Sequence, residues 1–190
     1  MRRLGETFQK LGISKKPGLV TYITAGDPTL ERSADILQAL DGAGADVLEV
    51  GAPFSDPLAD GPIIQRASER ALASGTTLTK VLDMVAQVRK KISAPIVIFS
   101  YANPILRMGE ESFVTAARRA GVDGVLILDL PIEEAAQFRQ RLKEQEIDMI
   151  FLLSPTTTED RMRKAAELGS GFLYVISRLG VTGIQEELAG

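Results

Sequence analysis

The sequence contains no cysteine, no histidine and no tryptophan. Without Cys there is no disulfide framework, no thiolate nucleophile and no Cys-based zinc site, and secretion is left unsupported. Without imidazole there is no Ser-His-Asp or Cys-His machinery and no His-ligated metal, so acid–base chemistry must rest on carboxylates, Lys or Tyr. Long apolar runs are also missing: the longest, around residues 95–99 and 125–128, fall far short of the roughly 20 residues a membrane span needs. Residues 1–12 carry two arginines but no apolar signal-type stretch. Their Leu4, Phe8 and Leu11 recur at helical spacing and read as a short amphipathic helix. Excess basic charge is absent too: Lys plus Arg number 22 against 25 Asp plus Glu, a net charge of -3, so no basic face is available to hold a nucleic acid. What remains is 190 residues at 45% hydrophobic content, enough for one sizeable core in one domain spanning residues 1–190. A cytoplasmic enzyme or binding protein is the default expectation.

Short apolar runs alternate with longer segments of period 3.6, the pattern of βα units around a parallel sheet. Strands are predicted over residues 19–24, 46–50, 96–100, 125–128, 149–153 and 172–176. Helices are predicted over a segment capped by Thr29 that runs through Leu40, then over 63–74, 78–92, 110–120, 133–145 and 159–168. Ala43-Gly44-Ala45-Asp46, Ala120-Gly121-Val122-Asp123 and Leu168-Gly169 form a weak internal echo, in which a glycine past each helix supplies a left-handed cap. Six such units fit an open doubly wound sheet or part of a (β/α)8 barrel. No G-x-G-x-x-G follows the first strand, so the barrel, with about six of its units, is the better reading. The seven residues after Gly183 are too few for another unit.

Parallel strands buried on both faces read as continuous Val, Ile and Leu. Val47-Leu48-Glu49-Val50 breaks that rule with a carboxylate inside the strand, and Val125-Leu126-Ile127-Leu128-Asp129 ends on one. Burial of Glu49 among Val and Leu raises its pKa and costs several kcal/mol unless the group is used or satisfied. Asp129 reads equally well as a loop cap or as a functional group at the barrel mouth, where catalytic groups gather. Residues 51–62 hold two acids, three prolines and two glycines. They suggest a shaped lid that brings Asp56 or Asp60 back over Glu49. Tyr22, Tyr101 and Tyr174 lie in or at the ends of strands, where a buried Tyr is often a core residue with a bonded hydroxyl. Thr182 and Gly183 follow the sixth strand in a turn whose N–H groups can hold a phosphate.

Five segments together resemble the tryptophan synthase alpha chain family. They are Ile23-Thr24-Ala25-Gly26-Asp27-Pro28, Tyr101-Ala102-Asn103-Pro104, Asp129-Leu130-Pro131, Ser177-Arg178-Leu179-Gly180-Val181-Thr182-Gly183, and the most specific, Leu48-Glu49-Val50-Gly51-Ala52-Pro53-Phe54-Ser55-Asp56-Pro57-Leu58-Ala59-Asp60-Gly61-Pro62. The resemblance implies a TIM barrel and a lyase of tryptophan biosynthesis, of the carbon–oxygen class. Such an enzyme cleaves indole-3-glycerol phosphate to indole and glyceraldehyde 3-phosphate. It implies no cofactor and no metal for that reaction, and a tryptophan synthase beta chain as partner in an alpha2-beta2 tetramer. By motif it makes Glu49 the proton-transfer carboxylate and Asp60 the carboxylate that binds the indole N–H. Tyr174 would line the substrate pocket, Thr182 would orient Asp60 and Gly183 would belong to the phosphate cradle. Tyr22 falls on the indole-facing strand, Ser100 on the pocket wall, and Asp129 at the mouth that senses the beta chain. A TIM barrel takes about 250 residues, and the last two βα units have no counterpart here. A second reading is therefore a catalytically incompetent fragment that keeps only a beta-chain-binding surface.

Overall fold

The computed structural model describes residues 2–176. Six strands, β1 (Val20–Thr24), β2 (Val47–Gly51), β3 (Ile96–Ser100), β4 (Gly124–Ile127), β5 (Asp148–Leu153) and β6 (Leu173–Val175), form one sheet in sequence order, every neighbouring pair parallel. Helices α1 (Arg3–Ser14), α2 (Leu30–Gly42), α3 (Pro62–Ala73), α4 (Leu78–Val88), α5 (Ala102–Met108), α6 (Glu110–Ala120), α7 (Ala136–Glu144) and α8 (Glu159–Leu168) complete the described chain. Strands in sequence order, each joined to the next by a helical crossover, make the wall of a barrel and not an open doubly wound sheet, in which strand order reverses.

Side chains alternate along each strand, and two apolar clusters record the alternation. Leu48, Val50, Ile96, Ile98, Val125, Met149 and Phe151 pack outward with Leu37 of α2, Val81 and Val85 of α4, Phe113 and Ala117 of α6 and Leu142 of α7. Val47, Val97, Leu126 and Ile150 point the other way and meet Leu4 of α1. Covered on both sides, β2 is buried at every position, and β4 likewise, which explains their unbroken apolar character.

The amphipathic N-terminal helix thus forms the floor of the barrel. Leu4 is fully buried there, which contributes about 2 kcal/mol by removal of apolar area from water. Gly124 makes room for it: a Cβ at that position would lie 2.9 Å from Leu4 Cδ1 and 3.0 Å from Ile150 Cδ1. Arg2 pairs with Asp148, and Arg3 with Asp123 at 2.7 Å, so α1 is fastened by charge as well as by packing.

Most predicted elements agree with the structure to within a residue or two, and Thr29 caps α2 by accepting from Arg32 N at 3.2 Å. Two differences have local causes. α5 is absent from the prediction; its seven residues include Pro104, which stands in the first helical turn, where no intrahelical N–H is required. α7 begins at Ala136 and not at residue 133, since residues 132–134 form a turn after Pro131. Of the three expected left-handed glycines, Gly44 and Gly121 have φ of 93° and 78°, whereas Gly169 is extended at -73°.

Candidate active site

β2 places Glu49 on the inner face, between Val47 below and Gly51 above. It is 3% exposed, and among the described residues its Oε1 is the one buried side-chain polar atom without a hydrogen-bond partner. Burial alone pushes its carboxyl up to about 7. A carboxylic acid so placed exchanges its proton near neutrality, as a proton-transfer group requires.

Register sets Tyr22 of β1 directly beside Glu49. Burial raises the Tyr22 phenol to about 12, opposed by a hydrogen bond from Thr24 and reinforced by the charges of Asp60 and Glu49. Both carboxylates therefore act on one phenol. The Tyr22 ring also occupies the space above Gly51, where a Cβ would come within 2.1 Å of the phenol oxygen. Any side chain at residue 51 would evict that ring. Tyr174 of β6 feels the same carboxylate: burial, then the charge of Glu49, raises its phenol.

Asp60 reaches the site from the connection between β2 and α3. It is 8% exposed. Its Oδ2 accepts from the Tyr101 hydroxyl at 3.0 Å, and its carbonyl oxygen accepts from Gln65 Nε2 at 2.8 Å. Burial raises its carboxyl and the Tyr101 hydrogen bond opposes the rise. Glu49 thus stands alone on a rigid strand, while Asp60 sits on a loop with a donor of its own.

The remaining expected residues divide. Ser100 is not brought to this group: it follows Phe99, so strand alternation sets it on the side of Ile96 and Ile98, and its hydroxyl donates to Tyr101 O at 3.1 Å. Phe99 holds the inward position instead, with its ring 5.5 Å from that of Tyr22 and 6.0 Å from that of Tyr174, both edge-on. Asp129 is exposed and accepts from Ala102 N at 2.7 Å, which caps the N-terminus of α5. It lines a separate hollow with Pro131, Phe151 and Arg161. Thr182 and Gly183 lie outside the described residues. Phe99 has no distinguishing signal in the sequence beyond its place near a strand's C-terminal end, and Tyr101 has only its place in the Tyr101-Ala102-Asn103-Pro104 segment, because aromatic residues there are equally suited to a core. No group of three or more acidic side chains among the described residues is arranged to hold a metal ion. No described helix is long and apolar enough to cross a membrane.

Comparison with known proteins accounts for this arrangement. The family model for the tryptophan synthase alpha chain matches residues 8–190. A tryptophan synthase alpha chain from Geotalea daltonii is 53% identical over 189 residues, covering 100% of this chain and 72% of that protein. The crystal structure of tryptophan synthase subunit alpha from Legionella pneumophila superposes with a TM-score of 0.90 at 43% identity, covering 93% of this chain and 68% of that one. The tryptophan synthase α2β2 complex from Pyrococcus furiosus contains a chain that matches with a TM-score of 0.80 at 40% identity, covering 83% of this chain and 67% of that one. A buried glutamate whose charge acts on two tyrosines, a buried loop aspartate that acts on one of the same phenols and this likeness over the whole length lead to one assignment: the chain belongs to the tryptophan synthase alpha chain family and has its TIM-barrel fold.

Proposed function

We propose that this chain cleaves indole-3-glycerol phosphate to indole and glyceraldehyde 3-phosphate, with Glu49 and Asp60 as its catalytic residues. The observation that carries the reading is the buried Oε1 of Glu49, left without a hydrogen-bond partner on the strand position beside Tyr22, whose phenol also feels the charge of Asp60. A carboxyl in that state is costly to fold around, and a proton-transfer role accounts for its retention.

The reaction breaks the bond between indole C3 and the glycerol side chain. C3 must gain a proton, the ring nitrogen must carry positive charge while it does so, and the hydroxyl on the departing carbon must lose a proton as the aldehyde forms. Protonated Glu49 delivers the proton to C3, and its carboxylate then takes the hydroxyl proton, so the group ends as it began. Asp60, as carboxylate, accepts from the ring N–H and stabilises the transient charge. The electrons of the broken bond return to the ring, so no redox partner is needed. Tyr22, Phe99 and Tyr174 present aromatic surface to the indole, and on this reading the turn at Thr182 and Gly183 takes the phosphate and steadies Asp60. The lyase is proposed to work beside a tryptophan synthase beta chain, as the α2β2 description of the Pyrococcus complex suggests.

Glyceraldehyde 3-phosphate release by the chain, alone and mixed with a beta chain, tests this. Wild type releases product, and Glu49→Gln is slowed about a thousandfold, within the range ascribed to a positioned acid–base group, while still binding an uncleavable analogue. Unchanged turnover in Glu49→Gln overturns the assignment. A wild-type chain that stimulates the beta reaction yet releases no product replaces it with a non-catalytic beta-chain binder.

A further inference from the structure

Tyr101 stands one residue past β3, at the C-terminal end of the wall, and is 5% exposed. Its ring lies 5.1 Å from that of Phe54, at the start of the β2–α3 connection. Its hydroxyl meets the far end of the same connection twice: Ala59 N donates to the phenol oxygen at 3.0 Å, and the phenol donates to Asp60 Oδ2 at 3.0 Å. The first bond fixes the direction of the second, because an oxygen occupied as acceptor by a backbone N–H turns its own hydrogen elsewhere.

Ring and hydroxyl therefore divide the work. Packing against Phe54 is something a phenylalanine would do equally well. Only the hydroxyl distinguishes a tyrosine here, and both its bonds end at residues 59 and 60. The Gln65 bond to Asp60 O holds the aspartate's backbone, and among the described residues it is the Tyr101 phenol that holds the carboxylate itself.

We propose that Tyr101 is a positioning residue of the site, committing one oxygen of Asp60 to its hydroxyl and leaving the other for the ring nitrogen of the substrate. The inference rests on the role proposed for Asp60. It makes recognition of the indole N–H a property of a strand-anchored phenol and not of the loop alone. Burial holds the Tyr101 phenol well above its ordinary range, so it remains a donor wherever the enzyme works.

The test compares binding of 3-(indol-3-yl)propyl phosphate, which cannot be cleaved, with binding of its 1-methyl counterpart, which lacks the N–H. Because the chain has no tryptophan, indole fluorescence reports binding directly. Wild type prefers the N–H form, and in Tyr101→Phe that preference falls about tenfold, the value of one charge-assisted hydrogen bond. The acid limb of binding also moves to higher pH in Tyr101→Phe, since the bond that opposes the rise in the Asp60 carboxyl is gone. Should Tyr101→Phe fail to fold, 3-fluorotyrosine at position 101 keeps the ring and strengthens the donor, and the limb moves to lower pH. A preference present in wild type and unaltered in Tyr101→Phe, or a limb that stays in place with 3-fluorotyrosine, overturns this inference alone. No preference in wild type overturns the role of Asp60, and this inference with it.

Discussion

The two ends of the barrel bury carboxylates equally deeply and treat them oppositely. At the floor, Asp123 and Asp148 are 8% and 3% exposed; at the mouth, Asp60 and Glu49 are likewise 8% and 3%. Asp123 is saturated: Arg3 donates at 2.7 Å, Arg89 at 3.1 Å and Ile96 N at 2.9 Å. Asp148 holds Arg2. Asp60 has one hydroxyl donor on its carboxylate, and Glu49 Oε1 has no partner. Burial alone therefore says little about purpose. A buried acid surrounded by donors fastens the fold, and one held without them at the C-terminal end of the wall is available to a substrate.

The largest effect that would break this contrast is at the floor. Arg89 is itself largely buried and bridges Asp123 to the carbonyl oxygens of Ile92 and Ala94, at 2.7 and 2.8 Å. Burial pulls its guanidinium below the ordinary value, against the opposing charge of Asp123. Asp123→Ala leaves that cation without its counter-charge and Ile96 N without an acceptor. The expected loss is about 3 to 5 kcal/mol, as for removal of one partner from a buried pair, read from urea unfolding. A loss under 1 kcal/mol would dissolve the distinction between fastening and available carboxylates.

The same measurement on Glu49→Gln should change sign. The folded chain holds the Glu49 proton up to about pH 7, whereas the unfolded chain releases it near 4.5. Between those values the folded state binds the extra proton, so wild-type stability falls as pH rises and then levels off. Gln carries no such dependence. At pH 8 Glu49→Gln is expected to be the more stable by about 3 kcal/mol, with the difference vanishing below about pH 4.5. Parallel stability curves across that window would show that Glu49 is not strained by its setting. An activity lost as stability is gained would match the trade expected of a functional residue.

These particular residues also show what a sequence reveals. Glu49 was legible because a carboxylate within Val-Leu-Glu-Val contradicts the apolar rule of a doubly covered strand. The strands and most helices followed from periodicity in the same way. Ser100 shows the limit of a family likeness: the resemblance sets it on the pocket wall, whereas alternation from Val97 and Phe99 turns it outward. The floor was invisible for another reason. Leu4, Gly124 and Ile150 meet across most of the described chain, and no local pattern records a contact of that range. Tyr101 reads in the sequence both as part of the Tyr101-Ala102-Asn103-Pro104 segment and as an aromatic suited to a core, and only its two hydrogen bonds separate it from the latter.

Asp129 supplies the smallest and most discriminating case, because it shares the mouth with Glu49 but the chemistry of the floor. It is exposed, and its Oδ1 accepts from Ala102 N at 2.7 Å, so it caps α5 as a side-chain acceptor caps any helix start. Asp129→Ala removes that bond while water replaces the lost acceptor, and about 1 kcal/mol of stability is the expected cost. Asp129→Asn, whose amide oxygen can accept from the same N–H, should recover most of it. Position along the barrel axis predicts that Asp129 behaves like Glu49; its backbone donor predicts that it behaves as a milder Asp123. Urea unfolding of the two Asp129 variants decides between them, and a gain in stability for Asp129→Asn resembling that of Glu49→Gln would mean that place, and not partners, sets the fate of an acid in this wall.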